Sequence, residues 1–293
     1  MIKSDPRLVI LAGGVSSRMK RTSSPEAQVD SGLAKQADER TKGMIGVGEQ
    51  GRPFLDYMLN NAKKAGINDV TIVIGERDNA MRQYYGEKDS GNDFHGIQIS
   101  YAVQRIPAGR EKPMGTADAL YQAVLVRPDW KGGDFIVCNS DNLYSLKVLE
   151  ALRECEAPNA YPDYDRSGLE FNQDRIAGFG ITKRDTDGYL LEIVEKPSVE
   201  EIERLKDPQG VIRVSMNIFR LNYDMIFPLL EHCPITPKRQ EKELVVAVTN
   251  LVNANRHALK LIPWKEHVPD LTYKDDIIMV QEWLKIHYPV VEW

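Results

Sequence analysis

The chain has 293 residues, of which 42% are hydrophobic and 28% charged, and its formal net charge is -5. That length holds one large α/β domain or two small ones around a sizeable core, and an acidic balance with no basic run argues against a general affinity for nucleic acid. No stretch reaches the roughly 18 to 20 apolar residues that span a bilayer, residues 1–6 read as too short and polar for a secretory leader, and Cys138, Cys155 and Cys233 form an odd, widely spaced set that suits small core residues in a reducing cytoplasm.

In chain order, Leu8-Val9-Ile10-Leu11 is an apolar run that breaks at Ala12 into Gly13-Gly14-Val15-Ser16-Ser17-Arg18-Met19. It reads as a buried strand feeding a loop whose backbone amides close around phosphate, with Arg18 adding charge. A nucleotide is therefore the first ligand to consider. No third glycine follows at dinucleotide spacing and no Gly-Lys-Ser/Thr closes a Walker loop, so an unliganded strand-to-helix turn fits the same residues when they are read alone.

Residues 20–41 are polar, with little apolar periodicity, and are expected to form a mobile loop or lid. From Pro53, the apolar residues Phe54, Leu55, Met58, Leu59 and Ala62 recur at helical spacing until Gly66, and Asp69 to Gly75 then reads as a buried strand. Ile97 to Val103 predicts another strand, Thr116 to Val126 a helix, and Phe135 to Cys138 a further strand. This alternation argues for a mostly parallel sheet covered by helices on both faces.

Beyond Asp141 the rhythm changes. Ile176 to Thr182 and Tyr189 to Val194 predict strands joined at Asp185-Thr186-Asp187-Gly188, a hairpin signal. A strand over Val211 to Leu221 precedes helices at about 222–232 and 240–254, a short strand at Leu259 to Pro263 and a closing helix at Tyr273 to Ile286. No internal repeat or linker interrupts this order, so one continuous sheet is expected.

Ligands of open α/β sheets collect at the carboxyl ends of strands, and three polar loops follow apolar runs here. The first is Gly13 to Arg18. The second lies around Gln104 and Gly115-Thr116, where the Gln104 amide offers a flat ligand both a donor and an acceptor, although Thr116 alone reads as a plain helix N-cap. The third is Asn139-Ser140-Asp141-Asn142; a carboxylate leaving a buried strand suits magnesium, and a lone Asp equally suits a helix cap. Glu195-Lys196-Pro197 by itself reads as an exposed turn. The five histidines show no ligand spacing.

Leu11-Ala12-Gly13-Gly14 through Arg18, Thr41-Lys42-Gly43-Met44, Gln104, Gly115-Thr116-Ala117-Asp118-Ala119-Leu120, Asp141, Gly178-Phe179-Gly180, Glu195-Lys196-Pro197 and Asn217 resemble, in that order, the motifs of sugar-1-phosphate nucleotidyltransferases. The resemblance covers residues 7 to about 221, and the order of the motifs makes it specific. Cofactor guanylyltransferases share the opening Gly-Gly-x-Ser-x-Arg-Met but are shorter and lack the Glu-Lys-Pro element.

The resemblance implies a three-layer α/β/α, Rossmann-like fold with a mixed, mostly parallel sheet, in one domain over residues 1–293. Residues 7–150 would form its nucleotide-binding half and residues 151–293 its sugar-phosphate-binding half. It implies that Leu11, Ala12, Gly13 and Gly14 line the nucleotide and that Gln104, Gly115 and Thr116 contact the base region. Arg18 and Lys42 would be the catalytic cations, Arg18 on the departing pyrophosphate and Lys42 near the α-phosphate. Asp141 would hold Mg²⁺, Gly180 and Glu195 would meet sugar hydroxyls, Lys196 the sugar phosphate, and Asn217 the acceptor. The partners so implied are an NTP and a sugar 1-phosphate, with no nucleic acid and no membrane. Homo-oligomerisation is left open, and uridine is only the family-level expectation for the base.

Two departures from the family pattern stand out. The polar insertion leaves Lys35 and Lys42 as rivals for the signature lysine, and Gly43-Met44-Ile45-Gly46-Val47 favours Lys42. Many relatives carry a second carboxylate in a late Leu-x-Asp setting, and the register Glu241-Lys242-Glu243-Leu244-Val245-Val246 puts Val246 there. Either Glu243 or a neighbour substitutes, or the metal rests on Asp141 and the phosphates, or catalysis is weak. The last option keeps alternative a non-catalytic nucleotide-sugar-binding or regulatory protein. A glycosyltransferase, a third option, would show Asp-x-Asp at a strand end, which Ser140-Asp141-Asn142 does not supply.

Overall fold

The computed structural model describes residues 6–20 and 29–293. In chain order its first elements are β1 (Arg7–Leu11), α1 (Ser31–Glu39), α2 (Phe54–Lys64), β2 (Asp69–Gly75), α3 (Asn79–Tyr85), β3 (Asn92–Phe94), β4 (Ile97–Gln104), α4 (Thr116–Leu125) and β5 (Asp134–Asn139). The later elements are α5 (Leu146–Glu154), β6 (Ala160–Asp165), α6 (Gln173–Ala177), β7 (Ile181–Arg184), β8 (Leu190–Val194), α7 (Val199–Leu205), β9 (Arg213–Val214), β10 (Phe219–Asn222), α8 (Tyr223–Glu231), α9 (Leu244–Ala254), β11 (Lys260–Trp264) and α10 (Asp276–His287). No helix among the described residues is long and apolar enough to cross a membrane.

The strands form one sheet in the order β3-β4-β2-β1-β5-β10-β6-β9-β7-β8, with β11 paired to β6. β4, β2, β1 and β5 run parallel, as does the β6–β11 pair, whereas β10, β9, β7 and β8 join antiparallel. Alternation along β1 explains the layers. Leu8 and Ile10 enter a core shared with α2, α5 and α10, while Val9 and Leu11 enter one shared with α4, α8 and α9. Helices on both faces bury both sides of the sheet, which gives the expected α/β/α arrangement.

Several expected elements move. Within the predicted mobile loop over 20–41, residues 21–28 lie outside the described part, but Ser31–Glu39 is helical. Asp30 caps it by accepting from Gly32 N and Leu33 N at 2.9 and 3.2 Å, Gln36 Oε1 accepts from Gly46 N, and Asp38 pairs with Lys274 at 2.7 Å. The strand expected over 176–182 begins only at Ile181, because the Asn172 side chain caps α6, which extends to Ala177. The strand expected over 211–221 is split into β9 and β10, and Asn217 between them has φ 56°. The helix expected from 240 starts at Leu244, since residues 236–241 close a turn and residues 241–243 run as an extended strap against the loop before α4. α10 starts at Asp276, whose carboxylate accepts from Thr272 N and Tyr273 N, each at 2.7 Å.

Candidate active site

The Gly13 to Arg18 loop leaves β1 beside the ends of β4 and β5. A cleft of about 300 Å³ opens there, lined by this loop together with Lys42, Gln104, Lys112, Gly115, Thr116, Asp141 and Glu241. Parallel pairing positions it: Leu11 is in register with Asn139, and Ser140 N donates to Leu11 O at 3.1 Å. Ser16 takes φ 53° in the loop, a conformation costly for a residue with a Cβ. Arg18 is exposed in the cleft, with its guanidinium 6.0 Å from the Tyr273 ring centroid.

Lys42 opens a tight 3-10 turn over Lys42–Met44, and its ammonium donates to Asp141 Oδ2 at 2.8 Å. Its side chain is only 10% exposed, whereas that of Lys35 is 73% exposed and faces Glu39 at 3.9 Å. Of the two lysines, Lys42 lines the cleft and Lys35 does not. Arg18, Lys42 and Asp141, far apart in sequence, line one cleft.

The second carboxylate is not on α9. Val246 lies there, packed against the core, and Glu243 is engaged by the Thr236 hydroxyl at 2.6 Å and by Arg239 at 3.4 Å. Beside Asp141 stands Asp270: Asn142 bridges to Asp270 in antiparallel fashion and Leu271 N donates to Asp141 O at 2.9 Å. Burial first, and then the neighbouring Asp141 charge, push the Asp270 carboxyl up to about 6, against the pull of Arg175 and Lys42. Arg175 Nη2 lies 3.1 Å from Asp270 Oδ2, and its Nη1 donates to Asp276 Oδ1 at 2.6 Å. Two carboxylates within electrostatic reach of each other are hard oxygen donors of the kind that suits a divalent cation, although of the two Asp141 alone lines the cleft. No group of three or more His, Cys, Asp or Glu among the described residues is arranged to hold a metal.

The entrance to α4 forms the opposite wall. Gly115 precedes the helix with φ 108°, and a Cβ there would stand 2.5 Å from Lys242 O, so only glycine fits. Thr116 is not the N-cap that its local sequence suggests. It is the first helical residue, and its hydroxyl accepts from Leu244 N at 2.9 Å, tying α4 to α9. The strap continues this docking, since Lys242 N donates to Met114 O, Ala117 N donates to Lys242 O, and Lys112 pairs with Glu241 at 2.6 Å.

Gly180, Glu195, Lys196 and Asn217 do not line this cleft but gather around the start of β7 and the ends of β8 and β9. A Cβ on Gly180 would lie 2.7 Å from Glu195 Oε1, so the carboxylate packs where a side chain would otherwise be. Ser215 N donates to Gly180 O at 2.8 Å. Lys196 and Asn217 have φ 51° and 56°, the strained left-handed backbone that tends to mark functional positions. Burial raises the Glu195 carboxyl, with Arg239 and Lys196 opposing and Glu243 reinforcing. Tyr144 links this group to the strand-end loop, because its hydroxyl donates to Met216 O at 2.6 Å and to Asn217 O at 3.3 Å. It also lies within electrostatic reach of Asp141 and Asp270.

Sequence reasoning missed Lys112, Arg175, Arg239 and Asp270. Only Asp270 carried a local signal, Val268-Pro269-Asp270 just before a helix, and periodicity does not distinguish that from a cap.

A family model described as "Nucleotidyl transferase" matches residues 35–283. The chain is 27% identical over 181 residues to "Bifunctional protein GlmU" of Staphylococcus epidermidis, covering 62% of this chain and 35% of that protein. A protein of the same description from Methanococcus vannielii is 24% identical over 220 residues, 75% of this chain and 44% of the other. "Glucose-1-phosphate adenylyltransferase small subunit, chloroplastic/amyloplastic" of Triticum aestivum is 23% identical over 204 residues, 67% and 39% of the two chains. The chain thus spans less than half the length of the curated relatives it matches.

Proposed function

The chain belongs to the nucleotidyl transferase family, and from that premise we propose that it transfers a nucleotidyl group from an NTP to a sugar 1-phosphate, releasing pyrophosphate. The observation that carries this reading is the meeting of Arg18, Lys42 and Asp141 with the glycine loop in one cleft.

A phosphate oxygen of the sugar 1-phosphate attacks the α-phosphorus in line, forming one P–O bond as the bond to the β-phosphate breaks. The nucleophile is already ionised, so positioning and charge neutralisation dominate over proton transfer. The Gly13 to Arg18 amides and the Arg18 guanidinium receive the leaving pyrophosphate. Lys42 stands against the α-phosphate, its ammonium held by Asp141 until substrate competes for it. Asp141 and Asp270 would hold Mg²⁺, which when bound neutralises phosphate charge.

Leu11, Ala12, Gly13 and Gly14 line the nucleotide, and Gln104, Gly115 and Thr116 meet the base. On the acceptor side Gly180 and Glu195 receive sugar hydroxyls, Lys196 and Arg239 supply positive charge for the sugar phosphate, and Asn217 orients the acceptor. Residues 7–150 then serve the nucleotide and residues 151–293 the sugar phosphate, within one domain. The unpaired state of Cys138, Cys155 and Cys233 supports a reducing cytoplasm. The non-catalytic alternative drew its motive from Val246, and Asp270 beside Asp141 offers a second carboxylate from elsewhere in the fold, which favours the catalytic reading.

Incubating each of the four NTPs with a panel of sugar 1-phosphates and Mg²⁺, and following nucleotide-sugar formation by ³¹P NMR, tests the reading. Formation of a diphosphate diester with at least one pair is expected; silence across the panel from folded protein contradicts it.

A further inference from the structure

Glu241 lines the cleft beside the entrance to α4, its Cβ 2.9 Å from where a Cβ on Gly115 would stand. The backbone fixes it from both sides. Glu241 O accepts from Thr236 N at 2.8 Å, and the next amide, Lys242 N, donates to Met114 O at 2.6 Å. From the loop before α4, the Lys112 ammonium donates to Glu241 Oε1 at 2.6 Å and to Arg239 O at 3.2 Å. One carboxylate oxygen is therefore engaged. The Glu241 side chain stays 23% exposed, and among the described residues no donor engages Oε2.

We propose that Glu241 is a specificity-determining residue: with Oε1 held by Lys112, its Oε2 accepts a hydrogen bond from a ribose hydroxyl, so that the chain selects ribonucleoside over deoxyribonucleoside triphosphates. The inference rests on the nucleotidyl-transfer reading and deepens it. A carboxylate offers acceptors only, and phosphate oxygens repel it, so a nucleotide must meet Oε2 with a donor. Ribose hydroxyls are donors that all four NTPs share. With the base at the entrance to α4 and the phosphates on the Gly13 to Arg18 loop, the ribose lies between them. The cleft, at about 300 Å³, is at the lower end of the range for small-molecule sites, so a nucleotide that fills it touches both walls. A deoxyribose that brings no hydroxyl to this point leaves the carboxylate oxygen desolvated and unpaired, which is the condition under which polar sites discriminate most strongly.

The test uses the full chain with Mg²⁺ and isothermal titration of UTP, CTP, ATP and GTP, followed by the 2′-deoxy and 3′-deoxy counterparts of whichever binds best. In the unsubstituted protein that NTP binds more tightly than at least one of its two deoxy counterparts by about tenfold or more, the worth of a hydrogen bond to a charged group. In Glu241→Ala the ratio falls to about twofold or less, because the ribonucleotide loses affinity and the deoxynucleotide does not. Glu241→Gln, which keeps the shape of the side chain but meets the hydroxyl with a neutral amide, gives a ratio between the two. Each ratio compares ligands of equal charge in one protein, so neither the lost Glu241 charge nor a reduced folded fraction moves it. Any change of sugar pucker is common to the variants and cancels between them. Equal losses of ribo- and deoxyribonucleotide in Glu241→Ala, or equal binding of the two by the unsubstituted protein, overturns the inference and leaves the transfer reading standing. Failure to bind any of the four NTPs overturns both.

Discussion

The Lys42 ammonium and the Asp141 carboxylate, separated by 99 positions in the chain, meet at 2.8 Å on the floor of the cleft. The contact joins the tight turn after the polar insertion to the loop that leaves β5. It places a cation and a carboxylate together in the cleft where the proposed reaction would put an α-phosphate.

Lys42→Ala removes the only one of the two rival lysines that lines the cleft. Turnover is expected to fall by about a hundredfold or more, the order lost when a charge-stabilising donor is deleted, while Lys35→Ala stays within about twofold because an exposed helix pair contributes little. Steady-state pyrophosphate release on both variants decides between them, and the reverse ranking would reassign the signature lysine.

Asp270→Asn is expected to weaken divalent-cation binding by about tenfold or more, read as Mn²⁺ affinity by electron paramagnetic resonance. Val246→Asp should leave that affinity unchanged while lowering stability by about 1 to 3 kcal/mol, since it puts a carboxylate against an apolar core. Tighter Mn²⁺ binding in Val246→Asp would return the second carboxylate to α9.

These two positions also show where the sequence was and was not legible. Asp69 to Gly75 was readable to the residue because Val70 to Ile74 are all buried and no polar side chain interrupts them except Thr71. β6 was missed because its pattern is Ala-Tyr-Pro-Asp-Tyr-Asp, with Asp163 fully buried where an apolar residue would be expected. α1 was missed because it buries only Ala37, and its apolar face is otherwise Leu33 and Ala34. The glycine loop and Asp141 were readable from their places at strand ends, and Lys42 only through the motif Gly43-Met44-Ile45-Gly46-Val47 that follows it. Arg175, Arg239 and Asp270 were not, because their significance lies in what they face across the fold.

Gly180→Ala introduces a Cβ that would stand 2.7 Å from Glu195 Oε1 and so displaces that carboxylate. The KM for sugar 1-phosphate is expected to rise by about tenfold or more with the KM for NTP nearly unchanged, as one charge-bearing hydrogen-bond group leaves its place. Equal rises in both constants would show that Gly180 serves the fold and not the acceptor.

Asp163 gives a pH signature independent of catalysis. Burial pushes its carboxyl from 3.8 up to about 6, against the Thr182 hydroxyl and the Arg213 and Arg184 charges. A raised folded-state value means that its proton-linked stabilisation is complete below about pH 4 and is lost as the pH rises through about 6. Asp163→Asn does not titrate, so its stability relative to the parent protein should climb between pH 4 and 7 by up to about 3 kcal/mol. Urea unfolding across that range reads the difference, and a flat difference contradicts the assignment.

The most direct test of the whole account is a crystal structure with a non-hydrolysable NTP and Mg²⁺. The account predicts the triphosphate over the Gly13 to Arg18 loop, with Arg18 and Lys42 in hydrogen-bond reach of its oxygens and Asp141 turned to the metal. A nucleotide bound elsewhere, or these three side chains directed into separate cavities, would contradict it.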